Sequence, residues 1–169
     1  MDRSSERPSG DPRRRHGDDV VRRLETLGLA LLAYRQLCDG EDFGRERFGR
    51  IFESDEPEEI TRIWVFVGGF ESVVNGLCET CVSVRKALVL TADGSSSREN
   101  AINALRGERC FPDRSANELL RLNKFRATIQ HRSPSVRASD FHEQMVLALE
   151  RGPVHVEQLQ RYLERRGVL

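Results

Sequence analysis

Apolar side chains along this sequence recur three and four positions apart, and no stretch alternates at the period of a strand. That spacing lines one face of a helix, so the pattern predicts an all-α fold: a bundle of four to six helices, running up and down. The first stripe is Val20, Leu24, Leu27, Leu31, Tyr34 and Cys38, widened by Leu29, Leu32 and Leu37. It predicts a helix from Asp18 to Asp39, capped by Asp18 or Asp19 and stopped at Asp39-Gly40. Residues 40–54 are rich in Gly and charge, with Phe43, Phe48, Ile51 and Phe52 as anchors. They read as a loop with one helical turn.

The longest predicted helix follows. Ser54 or Asp55 is placed to cap it, and Pro57 falls in its first turn, where a missing N–H costs little. One stripe runs Ile60, Ile63, Trp64, Val67, Glu71, Val74, Cys78, Cys81, Arg85, Leu88, polar only at Glu71 and Arg85. A second holds Phe66, Phe70, Val73, Leu77 and Val84. A helix apolar on two sides belongs at the centre of a bundle or in a dimer interface. Gly68-Gly69 in its middle weakens the helix, and a close helix crossing is the compensation this predicts.

Asp93-Gly94-Ser95-Ser96-Ser97 reads as a turn, and Ser96 with Glu99 as a capping box for a short helix. That helix carries Ala101, Ile102 and Leu105 and stops near Gly107; Cys110-Phe111-Pro112 is a linker. Ser115 with Glu118 repeats the capping-box pattern and opens a helix bearing Leu119, Leu122, Phe125 and Ile129. Pro134 disfavours helix at Ser133, so this helix should end near Arg132. Ser139 then caps a helix through about Glu150, and Gly152-Pro153 breaks it. Leu159, Tyr162 and Leu163 mark a last amphipathic helix over 152–169, packed on a bundle of 18–151. Residues 1–17 have almost no apolar side chains to repay ordering and read as a disordered, Arg-rich arm.

Composition narrows the class. The 169 residues suit one domain, and 38% hydrophobic with 32% charged is ordinary for a soluble globule. Charge balances at 27 against 27, so no net field selects a nucleic-acid partner. The basic residues include only two lysines, Lys86 and Lys124, a bias that GC-rich coding explains as well as function does. The longest apolar run, Trp64 to Phe70, contains two glycines and is too short to cross a bilayer. No secretory h-region precedes the charged N-terminus. Cys38, Cys78, Cys81 and Cys110 therefore read as reduced thiols in a cytoplasm.

Chemistry is sparse. Cys78-Glu79-Thr80-Cys81 is a CxxC, but it lies on the apolar stripe of a helix and lacks converging ligands, so it reads as packing, with no metal and no cofactor. No phosphate loop, zinc-protease or nucleophile-elbow motif is present. Arg13-Arg14-Arg15-His16 reads as a solubilising tail, and His142 and His155 as surface residues. What remains is Arg126-Ala127-Thr128-Ile129-Gln130-His131-Arg132. His exchanges a proton near neutral pH, and Arg offers a permanent charge shaped to phosphate. Five helical steps turn about 500°, which sets Arg126 and His131 about 140° apart. One chain does not bring them onto one face, whereas two copies facing each other would pool two of each. The bland alternative is an exposed helix end.

The helix order and the Asn123-Lys124-Phe125-Arg126…His131-Arg132 setting resemble the HEPN superfamily of helical bundles, whose hallmark is Arg, four to six residues, then His. The specific part of the resemblance is those few positions, within about residues 18–151. It implies a metal-independent ribonuclease of the toxin–antitoxin or abortive-infection kind, active as a homodimer. Arg126 would hold the scissile phosphate and His131 would move the proton, with Asn123, Lys124 and Arg132 contacting RNA. A cognate antitoxin or regulatory protein is an implied partner. Ala127 stands where active members often carry a polar residue, and Ser133 where one branch has a tyrosine. The competing expectation is a non-catalytic helical module that binds protein or RNA. A structural protein with a basic arm on nucleic acid is a third.

Overall fold

The computed structural model describes residues 12–40, 44–88, 97–130 and 136–169. Six helices account for nearly all of them, with no strand among the described residues: α1 Pro12–Gly40, α2 Arg45–Phe52, α3 Pro57–Ala87, α4 Arg98–Gly107, α5 Asp113–Gln130 and α6 Ala138–Arg165. The all-α bundle read from the periodicity is the fold.

α3 is the central element. Pro57 opens it after the N-cap Glu56, with Glu58 and Glu59 in the first turn and Arg85 and Lys86 in the last. Charges in that order complement the helix dipole. A Cβ on Gly69 would fall 2.5 Å from the Tyr34 ring, and one on Gly76 would fall 3.0 Å from Leu27. As α1 numbers rise α3 numbers fall, so the two run antiparallel, and the glycines let them approach. Gly69 is the close crossing that the Gly-Gly pair predicts; Gly68 faces open space. By length and composition α3 is apolar enough to span a membrane, yet 56% of its apolar window is buried within the fold.

An aromatic cluster ties four helices together. Phe48 of α2 stacks on Phe141 of α6 at 5.6 Å, Phe125 of α5 meets Phe141 at 5.9 Å, and Phe70 of α3 meets Phe125 edge-on at 6.0 Å. Burying each such ring contributes about 2 kcal/mol. This explains α2, which by its sequence reads as mostly loop. Phe48 and Ile51 sit three apart and are both buried, and that burial outweighs the poor helix propensity of Gly49.

Other boundaries also move. α1 begins at Pro12, so residues 12–17, which composition assigns to a disordered arm, are helical; residues 1–11 lie outside the described residues. Ser54 is not the cap of α3. Its Oγ accepts the Glu56 N–H at 3.2 Å, in the turn that precedes the helix. Ser97 rather than Ser96 caps α4, accepting from the Asn100 N–H at 3.2 Å. The N-cap of α6 is Arg137, not Ser139. Ser115 is buried inside α5, and Glu118 turns away from any capping box to bind Arg114 and Arg151 at 3.0 and 2.9 Å.

The largest correction is α6, which continues through Gly152-Pro153 and makes 152–165 part of one helix with 138–151. Pro153 has no N–H for the carbonyl of Leu149. The Arg35 guanidinium of α1 donates to that oxygen instead, at 2.7 Å. Gly152 fits closely because a Cβ there would meet Leu31 at 2.6 Å. Neighbouring α1 thus supplies both the hydrogen bond and the reason for the glycine.

Candidate functional site

Residues Glu71, Asn75 and Glu79 lie four apart on α3 and form a polar row beside its apolar stripes. Arg98, in the first turn of α4, closes over the row. It donates from Nε to Glu79 at 2.9 Å and from Nη1 to Asn75 at 3.0 Å, and its Nη2 lies 2.8 Å from Glu79. Arg126 of α5 is half-buried on the same side. Burial, then the positive charge of Arg98, lower its pKa from the ordinary guanidinium value, while Cys78, Glu71 and Glu79 push the other way. It remains a cation at any physiological pH. Arg98, Asn75 and Glu79 are thus bonded where α3 meets α4, with Arg126 of α5 near enough to feel the charges of Arg98, Glu71 and Glu79.

The sequence singles out Arg126 and leaves Arg98, Asn75 and Glu79 unmarked. A signal for two of them is present: Glu71 interrupts an apolar stripe, and Asn75 and Glu79 continue it at helical spacing. Arg98 is not legible, because it comes from a separate helix.

Of the other residues expected at the site, Lys124 is exposed and Asn123 is buried, 8% accessible, with no hydrogen-bond partner for its Oδ1 among the described residues. His131 and Arg132 lie outside the described residues. The residues flanking that segment, Ile129 and Val136, line a hollow of about 190 Å3 with Trp64 and Phe141. Trp64 belongs by its spacing to the buried stripe. It is 54% exposed, beside Val65 at 50%.

The remaining candidates resolve as packing. Cys38, Cys78, Cys81 and Cys110 are free and buried. Burial pushes the Cys78 and Cys110 thiols up to about 12, so neither ionises near neutrality. No group of three or more His, Cys, Asp or Glu converges among the described residues. His142 packs its ring 5.7 Å from Phe48. His155, expected at the surface, is fully buried within α6, edge-on to Phe111 at 6.2 Å. Its Nε2 lies 3.6 Å from the Glu118 carboxylate, whose charge favours the protonated ring, but burial dominates and lowers its pKa to about 4. His155 is therefore neutral at neutral pH, and this contact is not an ion pair.

Compared with known proteins, the chain matches no family model, no curated protein and no solved structure.

Proposed function

We propose that this chain is a metal-independent RNA endonuclease of the HEPN type, serving as a toxin or in antiviral defence. Arg126 is the observation that carries the reading. It is a half-buried cation in a polar cluster on the helix whose sequence continues to His131 and Arg132. In the proposed reaction a ribose 2′-OH attacks the adjacent phosphate, His131 moves the proton, and Arg126 holds the phosphate as charge builds. Lys124 and Arg132 contact the RNA backbone. Asn123, being buried, serves this reading as a support for Arg126 three residues on.

A homodimer belongs to the proposal. The outer face of α3 runs from exposed Trp64 and Val65 past Gly68 and Ser72 into Asn75 and Glu79. A second copy seated on this face would cover the aromatic patch and bring two Arg126 side chains toward one cleft. The cytoplasm is the compartment that fits both RNA and unoxidised thiols, and a cognate antitoxin is the natural restraint on such an enzyme. A second reading, a non-catalytic interaction module, is favoured by the charge balance of the cluster, in which Glu71 and Glu79 offset Arg98 and Arg126.

The deciding experiment incubates purified protein with mixed RNA and EDTA, beside His131→Ala and Arg126→Ala. The wild type alone should cleave, leaving 2′,3′-cyclic phosphate ends. Equal RNA loss in all three samples marks a contaminant and removes the assignment. No cleavage in any sample favours the interaction module.

A further inference from the structure

A second basic feature lies at the other end of α5. The last turn of α4, the start of α5 and the final turns of α6 enclose a groove of about 490 Å3. Arg106, Arg109, Arg161 and Arg165 line it, with Gln158 and a single acid, Asp113. Arg161 is engaged by Glu157 one turn back. Arg106, Arg109 and Arg165 have no ion-pair partner among the described residues, although Arg165 also lies 5.9 Å from the Tyr162 ring. The wall thus carries four cations against one anion in a chain whose total charge is balanced.

Arg109 is held there at a conformational cost. The Cys110 N–H donates to Leu105 O at 2.9 Å and the Arg109 N–H to Arg106 O at 3.0 Å, which closes α4 as a Schellman motif. That motif needs a left-handed residue, and Arg109 adopts it with φ 58°. The same motif closes α6, where Val168 and Gly167 donate to Leu163 and Glu164, and there the left-handed residue is Gly167 with φ 66°. The left-handed position is thus a glycine at the end of α6 and an arginine at this groove.

We propose that this groove binds the phosphate backbone of RNA, as a contact separate from the Arg126 cluster. The choice of RNA rests on the ribonuclease reading. Asp113 and Arg126 are thirteen residues apart on α5, about 20 Å along the helix, so one strand reaching both would be held at two points. An acidic polypeptide fits the groove less well. Phe111 and Cys110 line it but are 2% and 4% exposed, which leaves no aromatic anchor of the kind protein interfaces are built around. Phosphate contacts need only positioned charge.

The test measures binding of a labelled, unstructured RNA by fluorescence anisotropy across a salt series, in the His131→Ala background so that the probe survives. Replacing Arg106, Arg109 and Arg165 together by Ala should weaken binding about tenfold or more and make the log–log salt dependence shallower by about 2, from three lost phosphate contacts. Arg109→Gly alone should weaken binding severalfold while melting at or above the parent temperature, which keeps the test valid if the triple variant fails to fold. Unchanged affinity and slope in a folded variant, or no RNA binding by the parent, overturns the proposal. So does polyglutamate binding as tightly as RNA at equal ionic strength, which would mark an acidic protein partner. Groove-dependent RNA binding together with no cleavage by the wild type sinks the ribonuclease reading alone. Cleavage with binding indifferent to the groove sinks the groove alone.

Discussion

Arg35 donates a hydrogen bond of 2.7 Å to the main-chain oxygen of Leu149, the carbonyl that Pro153 leaves without its helical partner. An exposed arginine on α1 therefore completes a helix more than a hundred residues away in sequence. Arg35→Ala should lower stability by about 1 kcal/mol, the scale of one exposed charge-assisted bond. In a Pro153→Ala background the same change should cost much less, since alanine restores the missing N–H. Chemical denaturation of the four proteins measures this coupling directly, and equal costs in both backgrounds would refute it.

Gly68 and Gly69 are adjacent in sequence and opposite in consequence. A Cβ on Gly69 would fall 2.5 and 2.6 Å from two Tyr34 ring carbons, whereas one on Gly68 meets nothing. Gly69→Ala should destabilise by about 1–3 kcal/mol through overpacking. Gly68→Ala should stabilise by up to about 1 kcal/mol through helix propensity. Thermal melts of the two single variants should move in opposite directions.

Buried His155 predicts acid sensitivity. Its pKa is lowered from the ordinary 6.5 to about 4 in the fold, chiefly by burial, while Glu118 and Arg151 face it with opposite effects. Between those values the unfolded chain binds the extra proton, so stability rises with pH. The contribution is complete above about pH 6.5 and falls away as pH drops toward 4, a loss of up to about 3 kcal/mol. Burial pushes the Glu118 pKa up, but its bonds from Arg151 and Arg114 and the nearby positive charge together hold it below the ordinary value, so Glu118 adds to the acid loss as pH falls below that value. Melting temperatures from pH 7 to 5 should fall for the wild type and fall less for His155→Leu.

The paired left-handed residues Arg109 and Gly167 give a stability test independent of any ligand. Arg109→Gly should stabilise by about 1 kcal/mol, and Gly167→Ala should destabilise by a similar amount. Urea midpoints at matched slope would read both. A loss of stability in Arg109→Gly would mean that the arginine is kept for packing.

What could be read from the sequence follows from range. The stripe of Val20, Leu24, Leu27, Leu31, Tyr34 and Cys38 predicts α1 because those residues are buried together by one local periodicity, and all six are in the core. The α3 stripes succeed for the same reason, except at Ile60 and Trp64, which stay 41% and 54% exposed near the start of the helix. Stop signals fare worse. Gly152-Pro153 and Ser115 are local cues that a neighbouring helix overrides, with Arg35 and Leu31 in the first case and α6 in the second. In the candidate site, Arg126 is legible as a residue type at a spacing. Asn75 and Glu79 are legible only as polar positions continuing from Glu71 at helical spacing, and Arg98 is not legible at all, since nothing local ties its helix to that row.

The sequence by itself determined the secondary structure class, the helix faces and the residues able to carry acid–base and phosphate chemistry, because these depend on neighbours three and four positions away. Only the tertiary structure decided that α6 is one helix, that His155 is buried beside Glu118, that Arg98 joins Arg126, and that four arginines from two helices and a turn line one groove. Each of those depends on contacts between distant segments, whose energies come from burial and from charges brought together by packing, and no local pattern records them.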